Sequence, residues 1–289
     1  MKLKSLRNLL GAVLLASSLV ACWTYRGEFL ALPPAEPELI ERGQKLVNGL
    51  GSCGFCHGVT GQPGAALTGG REFYDRYGAA PATNITPHQT GVGDWTTRDF
   101  INLFRRSISK NGALSSVEFH SGAEWMADRD LFAIVAYLGS LQPQSSSVER
   151  RNINWFERNF EGFWESRPEL SGYVPEVSYG SPVAYGRYLT DHVARCGSCH
   201  TGLPGWFSDP PYLRGKTITM INDEEHHAPR LVGKKYASSW PEQDLINFLQ
   251  TGSTPSGRRV NTALCPVEFY AQADVEDLQS IAMYLNRLK

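Results

Sequence analysis

Several features are scarce in this 289-residue sequence. There is no excess of positive charge: 28 Lys+Arg face 29 Asp+Glu. The basic footprint of a nucleic-acid-binding surface is therefore missing. A comfortable membrane span needs ~20 apolar residues, and the run from Leu9 to Val20 is too short for one. No stretch shows the convincing apolar/polar alternation of half-buried strands. Cysteine is sparse as well, with six residues. What remains is an ordinary globular composition, 42% apolar and 20% charged, in a chain long enough for one large domain or two small ones.

The short apolar run has an address function. Lys2, Lys4 and Arg7 precede it and small residues follow, which is a secretory signal pattern. Its removal leaves 25 Lys+Arg against 29 Asp+Glu, a mildly acidic mature chain. The run ends in Leu19-Val20-Ala21-Cys22, which resembles a bacterial lipobox, where the Cys is lipidated and becomes the new N-terminus. Stable anchoring takes more than one acyl chain at ~0.8 kcal/mol per buried CH₂, and lipoproteins carry several. Residues 1–21 are thus expected to be a lipoprotein-type signal, with the protein held on the periplasmic side of a membrane by lipid on Cys22. An ordinary cleaved signal with an incidental Cys, or an uncleaved anchor, are the alternatives.

Four of the other cysteines lie in Cys53-Gly54-Phe55-Cys56-His57 and Cys196-Gly197-Ser198-Cys199-His200. Each is C-x-x-C-H, the c-type haem attachment pattern. Two thiols add across the vinyl groups of one haem, which demands a short fixed separation, and the adjacent His sits beneath the iron as proximal ligand. Two covalently bound haem c groups are therefore expected, held by Cys53, Cys56 and His57 and by Cys196, Cys199 and His200. A C-x-x-C redox pair needs no following His. Zinc knuckles are normally a few tens of residues apart, far closer than these pairs. Disulfides suit an exported protein but leave both histidines unexplained. Cys265 is left without a partner.

The chain also repeats itself. Gly43, Leu46, Cys53, Cys56 and His57 recur as Gly186, Leu189, Cys196, Cys199 and His200; Trp95 and Asp99 as Trp240 and Asp244; Asp130, Ile134 and Tyr137 as Asp277, Ile281 and Tyr284. Repetition on this scale means a duplicated domain. Residues 38–50 and 182–195 read as helices leading into the haem motifs. Second helices open near Trp95 and Trp240, with Thr96 or Thr97 as cap and Pro241 at an early helical position. Asp128 to Leu141 and Asp274 to Leu288 are apolar at i, i+3, i+4 and i+7, hence amphipathic helices. The expected fold is all-α, a domain wrapped around a haem and built twice: residues 36–142 and 179–289, joined by 143–178. Trp155, Phe156, Phe160, Phe163 and Trp164 make this connector too apolar for a free linker, and they are expected to pack across the two domains.

Arg42-Gly43, Gly69-Gly70-Arg71, Asn84-Ile85-Thr86-Pro87, Gly91-Val92-Gly93-Asp94-Trp95 and Ala136-Tyr137-Leu138 look like the two-domain cytochrome c subunits that accompany bacterial membrane-bound dehydrogenases. The resemblance covers most of 38–142 and 180–288. It implies two tandem class I cytochrome c folds relaying electrons from a dehydrogenase or other donor towards the respiratory chain. The implied partners are redox proteins and, through the lipid, a membrane; nucleic acid is not among them.

Relatives of this type present a Met to the far side of each iron. Here the matching positions fall near Glu118 and at Cys265. In the first domain His120 is the favoured distal ligand and Met126 the alternative. In the second, Cys265 precedes Pro266 as that Met often precedes Pro, and can offer a thiolate; His226, His227 and Met220 are the others. Loss of Met ligation implies low haem potentials. Trp95, Trp240 and Arg71 are candidate neighbours of the haem propionates. No catalytic residue is assigned. An electron relay subunit is expected rather than a stand-alone enzyme; the alternatives are an enzyme oxidising a sulfur compound at a Cys265-ligated haem, and a haem-based sensor.

Overall fold

In the first half, helix α1 (Pro37–Asn48) starts with Pro at its first turn, where the missing N–H costs nothing, and ends after a basic Lys45. It buries Gly43 and Val47 against α4 (Asp128–Ser140), whose Leu131, Ile134, Val135 and Leu138 face inwards. The crossing is close because Gly43 has no side chain: a Cβ there would run into the Ala133 carbonyl. Between α1 and α4 come α2 (Cys53–His57), a hairpin of β1 (Glu72–Asp75) and β2 (Gly78–Pro81), and α3 (Thr97–Arg106). Thr96 caps α3 in a capping box with Asp99. The computed structural model describes residues 36–160, 169–202, 210–219 and 223–288. The expected leader 1–21, Cys22, Phe163, Trp164 and Met220 lie outside them.

The same order recurs. Helix α5 (Trp155–Phe160) belongs to the connector; then come α6 (Pro182–Tyr188), α7 (Cys196–His200), a hairpin of β3 (Lys216–Ile218) and β4 (His226–Ala228), α8 (Glu242–Thr251), α9 (Val267–Tyr270) and α10 (Val275–Leu285). Gly186 on α6 meets the Ser280 carbonyl of α10 as Gly43 meets Ala133. The left-handed residue that ends α3, Ser107, is matched by Gly252 after α8. Each is followed by one antiparallel bridge, Ile108 with Leu114 and Ser253 with Arg259. The expected helices are present, although the one expected over 182–195 is broken: a π-turn at Leu189–Val193 follows α6. Such bulges cluster at functional sites. Pro241 stands just outside α8, as its N-cap.

The described residues form one body, and the halves meet along a seam. The Tyr188 hydroxyl donates to Asp130, which is 1% exposed and also bonded to Arg42. The Ala127 amide donates to the same hydroxyl at 3.1 Å. Phe269 of α9 packs with Phe55 and Phe73 of the first half. The connector is partly built in: Ile153 is buried and Arg151 forks onto Asp75. The expected packing of its aromatics across the halves does not hold for Trp155, Phe156 and Phe160, which are 72%, 61% and 60% exposed. On the short α5 the two phenylalanines stack on each other, 4.2 Å between centroids, instead of reaching the core.

Candidate haem sites

The residue before each C-x-x-C-H helix, Ser52 or Arg195, is left-handed at φ 45° or 52°. For a residue with a side chain this costs about 1–3 kcal/mol, and both halves accept it. The turn swings the chain so that two thiols and an imidazole emerge from one short helix. The Gly69 amide then donates to the His57 carbonyl at 2.8 Å, and Gly215 to that of His200 at 2.7 Å.

Both histidines are oriented in the same way. His57 Nδ1 lies 2.7 Å from the Thr83 carbonyl, and His200 Nδ1 lies 2.7 Å from that of Pro229. A carbonyl only accepts, so Nδ1 carries the proton and Nε2 keeps a lone pair for a metal. Burial pushes both imidazoles below their ordinary pKa, opposed by these carbonyls. The loop supplying Thr83 is tied down next door. Asn84 is fully buried; its amide donates to the Gln144 carbonyl at 2.7 Å, and its oxygen accepts from the Thr86 amide and hydroxyl at 2.9 and 2.8 Å. Those bonds explain Asn84-Ile85-Thr86-Pro87 as a buried polar knot onto the connector.

A large apolar cavity opens beside α2. Cys53, Cys56 and His57 line it with Trp95, Phe104, His120 and Met126. The His57 and His120 rings are 6.4 Å apart, centroid to centroid, with planes 10° apart. His120 Nδ1 is buried without a hydrogen-bond partner, a costly condition for a polar atom. Burial first, then Arg195 and His57, push His120 down to about 3. An imidazole kept neutral is a metal ligand rather than an ion-pair partner. A metal bound at about 2.0 Å by a nitrogen of each ring takes up most of the 6.4 Å separation, and the half-widths of the rings supply the rest. The thiols, the two imidazoles and the apolar walls fit a haem. Met126 also lines the cavity and is 3% exposed, held by Arg105, which donates to its carbonyl at 2.6 Å. Glu118, at the position where a Met was expected, pairs with Arg76 at 2.8 Å.

Arg71 does not line this cavity. It donates to the Phe55 carbonyl and lies over the Phe55 and Phe73 rings, 4.7 and 5.3 Å from their centroids, clamping α2 from outside. Three arginines not singled out by sequence do line it, Arg150, Arg151 and Arg195. Arg150, from the connector, lies 4.6 Å over the Trp95 ring. Arg195, from the second half, donates to the Phe119 carbonyl at 2.7 Å. None of the three has a sequence signal, because all reach the site through folding of distant segments.

In the second half Cys265 lies in the turn before α9, near Cys196 and Cys199. Burial, then Cys199, push its thiol up to about 12. His226 is half-buried with Nε2 3.9 Å from Glu224, and the neighbouring His227 is exposed. Trp240 packs edge-on to Phe248, 5.7 Å between centroids. The motifs of the two halves also approach each other: Cys56 and Cys199 are within electrostatic reach. The four motif thiols are not gathered into one metal-binding group.

No family model matches the chain. It is similar to the fructose dehydrogenase cytochrome subunit of Gluconobacter japonicus, 29% identical over 85% of this chain and 52% of that protein. It is 28% identical to the gluconate 2-dehydrogenase cytochrome c subunit of Pantoea cypripedii, over 90% of this chain and 62% of that one. A diheme cytochrome c-type protein of Cereibacter sphaeroides is 24% identical over 88% of this chain and 90% of its own. The chain thus spans about half to three fifths of the length of these dehydrogenase subunits. Over most of its length it resembles the cytochrome c subunits of bacterial dehydrogenases and a diheme cytochrome c, as its two C-x-x-C-H motifs and their surroundings imply.

Proposed function

We propose that this protein is an electron-transfer cytochrome with two covalently attached haem c groups, one in each of two tandem cytochrome c domains, 36–142 and 179–289. The observation that carries the reading is the facing pair His57 and His120 beside Cys53 and Cys56. The repeated Nδ1-to-carbonyl bond at His200 supports a second site of the same design. The haem supplies a one-electron centre; the chain holds it, orients it and sets its potential.

Each residue has a definable task. Cys53/Cys56 and Cys196/Cys199 attach the haems. His57 and His200 ligate through Nε2, with Thr83 and Pro229 fixing the tautomer and increasing ligand basicity. His120 is the distal ligand of the first site and Cys265 of the second, so neither has the potential-raising Met. Arg150 has no carboxylate hydrogen-bonded to it among the described residues and lines the cavity, which suits it to the acidic side chains of the first haem. The electron donor is the dehydrogenase subunit of a membrane-associated complex, by analogy with the relatives' names. The expected signal and Cys22 place the protein on the periplasmic side of a membrane, held by lipid; no described helix is long and apolar enough to cross one.

The test is haem content with ligand spectroscopy on protein made by cells able to attach haem c. Two haems per chain by pyridine haemochrome, retained after acid-acetone extraction, support the reading; one haem or extractable haem overturns it. A second reading has its own observation, the Cys265 thiol near Cys196 and Cys199: oxidation of a sulfur compound at that haem. Thiosulfate turnover by the purified protein, lost in Cys265→Ala, would favour it over the relay.

A further inference from the structure

The seam between the halves places a cation of one half inside the site of the other. Arg195 immediately precedes Cys196, yet its side chain lines the cavity that holds His57 and His120. Its Nη1 donates to the Phe119 carbonyl at 2.7 Å, one residue before His120. Its stem runs along Gly122, where an added Cβ would lie 3.3 Å from Arg195 Cγ. His192, three residues upstream, pins the same loop by donating from Nδ1 to the Gly122 carbonyl at 2.8 Å. The matching residue of the first half is Ser52, so the arrangement is not reciprocal. No carboxylate is paired with Arg195 among the described residues.

We propose that Arg195 is the residue through which the second half tunes the first haem, its positive charge favouring the reduced iron and making the first centre the better electron acceptor than its ligands alone would. This rests on the two-haem reading above. A cation near a redox centre stabilises the form carrying one electron more, and it does so more strongly where water is excluded and no counter-charge lies alongside. Cys53, Cys56, His57 and His120 line the same cavity as Arg195. All four belong to the first site. The hydrogen bond to Phe119 holds the charge in place, and its acceptor is a neutral carbonyl that leaves the charge unneutralised.

The test is a spectroelectrochemical titration of full-length dihaem protein, each centre followed by its own electron paramagnetic resonance signal. R195M keeps the stem that packs along Gly122 and removes the charge; R195K keeps the charge. In R195M the reduction equilibrium of the first centre should fall about tenfold, about 59 mV for one electron. The second centre should move much less, and R195K should stay near wild type. An unchanged first centre in R195M, equal shifts at both centres, or a loss in R195K as large as in R195M would each overturn the proposal. If wild type itself lacks two haems, it is the two-haem reading that fails, and that result is visible before any variant is made.

Discussion

His57 and His120 face each other with ring centroids 6.4 Å apart and planes within 10°, while His120 Nδ1 has no hydrogen-bond partner. If both rings hold one iron, exchanging the distal one must change its potential and spectrum together. His120→Met should restore the Met/His pair, which raises potential. We expect more than about a tenfold gain in the first reduction equilibrium, about 59 mV for one electron, with loss of the bis-imidazole signal. His120→Ala should instead open the iron to carbon monoxide in the reduced state. If wild-type spectra already show sulfur ligation at this centre, Met126 is the ligand instead.

Cys265 sets the matching test in the second half. A thiolate donates more electron density to iron than a thioether, and a coordinating metal deprotonates a thiol that burial otherwise keeps protonated. The near-infrared magnetic circular dichroism of the oxidised wild-type protein should show a thiolate-type charge-transfer band. Cys265→Ala should abolish it and raise the second potential, with the first unchanged. Only imidazole and thioether bands in wild type would make Cys265 a buried bystander.

The glycines at the two helix crossings make a prediction about the scaffold. A Cβ at Gly43 or Gly186 collides with backbone carbonyls, of Ala133 and Ser280, which cannot rotate aside. Gly43→Ala and Gly186→Ala should each cost roughly 2–4 kcal/mol in denaturant unfolding, at the upper end of overpacking. Gly139→Ala, where nothing lies within 4 Å of the added atom, should be close to neutral. Near-equal losses at all three would show that the crossings can relax.

These glycines were readable as a repeat, as were the C-x-x-C-H motifs, the Thr96 cap and the flanking helices, because all depend on neighbours close in sequence. The hairpins were not. Strands of three or four residues, such as Lys216–Ile218, are too short to show a period, and pairing rather than patterning makes them. The direction of Arg71 was hidden for a related reason: nothing in its neighbours shows that it turns onto Phe55 while Arg150, Arg151 and Arg195 line the cavity. Aromatic content likewise says nothing of direction, and Trp155 ended in solvent. What a residue meets across the seam is decided by packing of the whole chain.

Asp277 offers a titration that separates the halves. It repeats Asp130, but where Asp130 has Arg42 as partner, Asp277 has Tyr185. Burial raises Asp277 to about 6, opposed by a hydrogen bond from Tyr185 and by Arg42, and reinforced by Asp274 and Asp130. An unfolded Asp titrates near 3.9, so between about 4 and about 6 the native state holds more protons than the unfolded one. Stability from this group is therefore full below about pH 4 and is lost as pH rises through about 6. After discounting for partial solvent access, the loss should be about 1 kcal/mol. Asp277→Asn should remove this slope and make the protein more stable than wild type at pH 7 while leaving it nearly equal at pH 4. The check is urea unfolding of both proteins across that range, read as their difference so that other titrating groups cancel; a constant difference would mean that Asp277 is already ionised in the fold at pH 4.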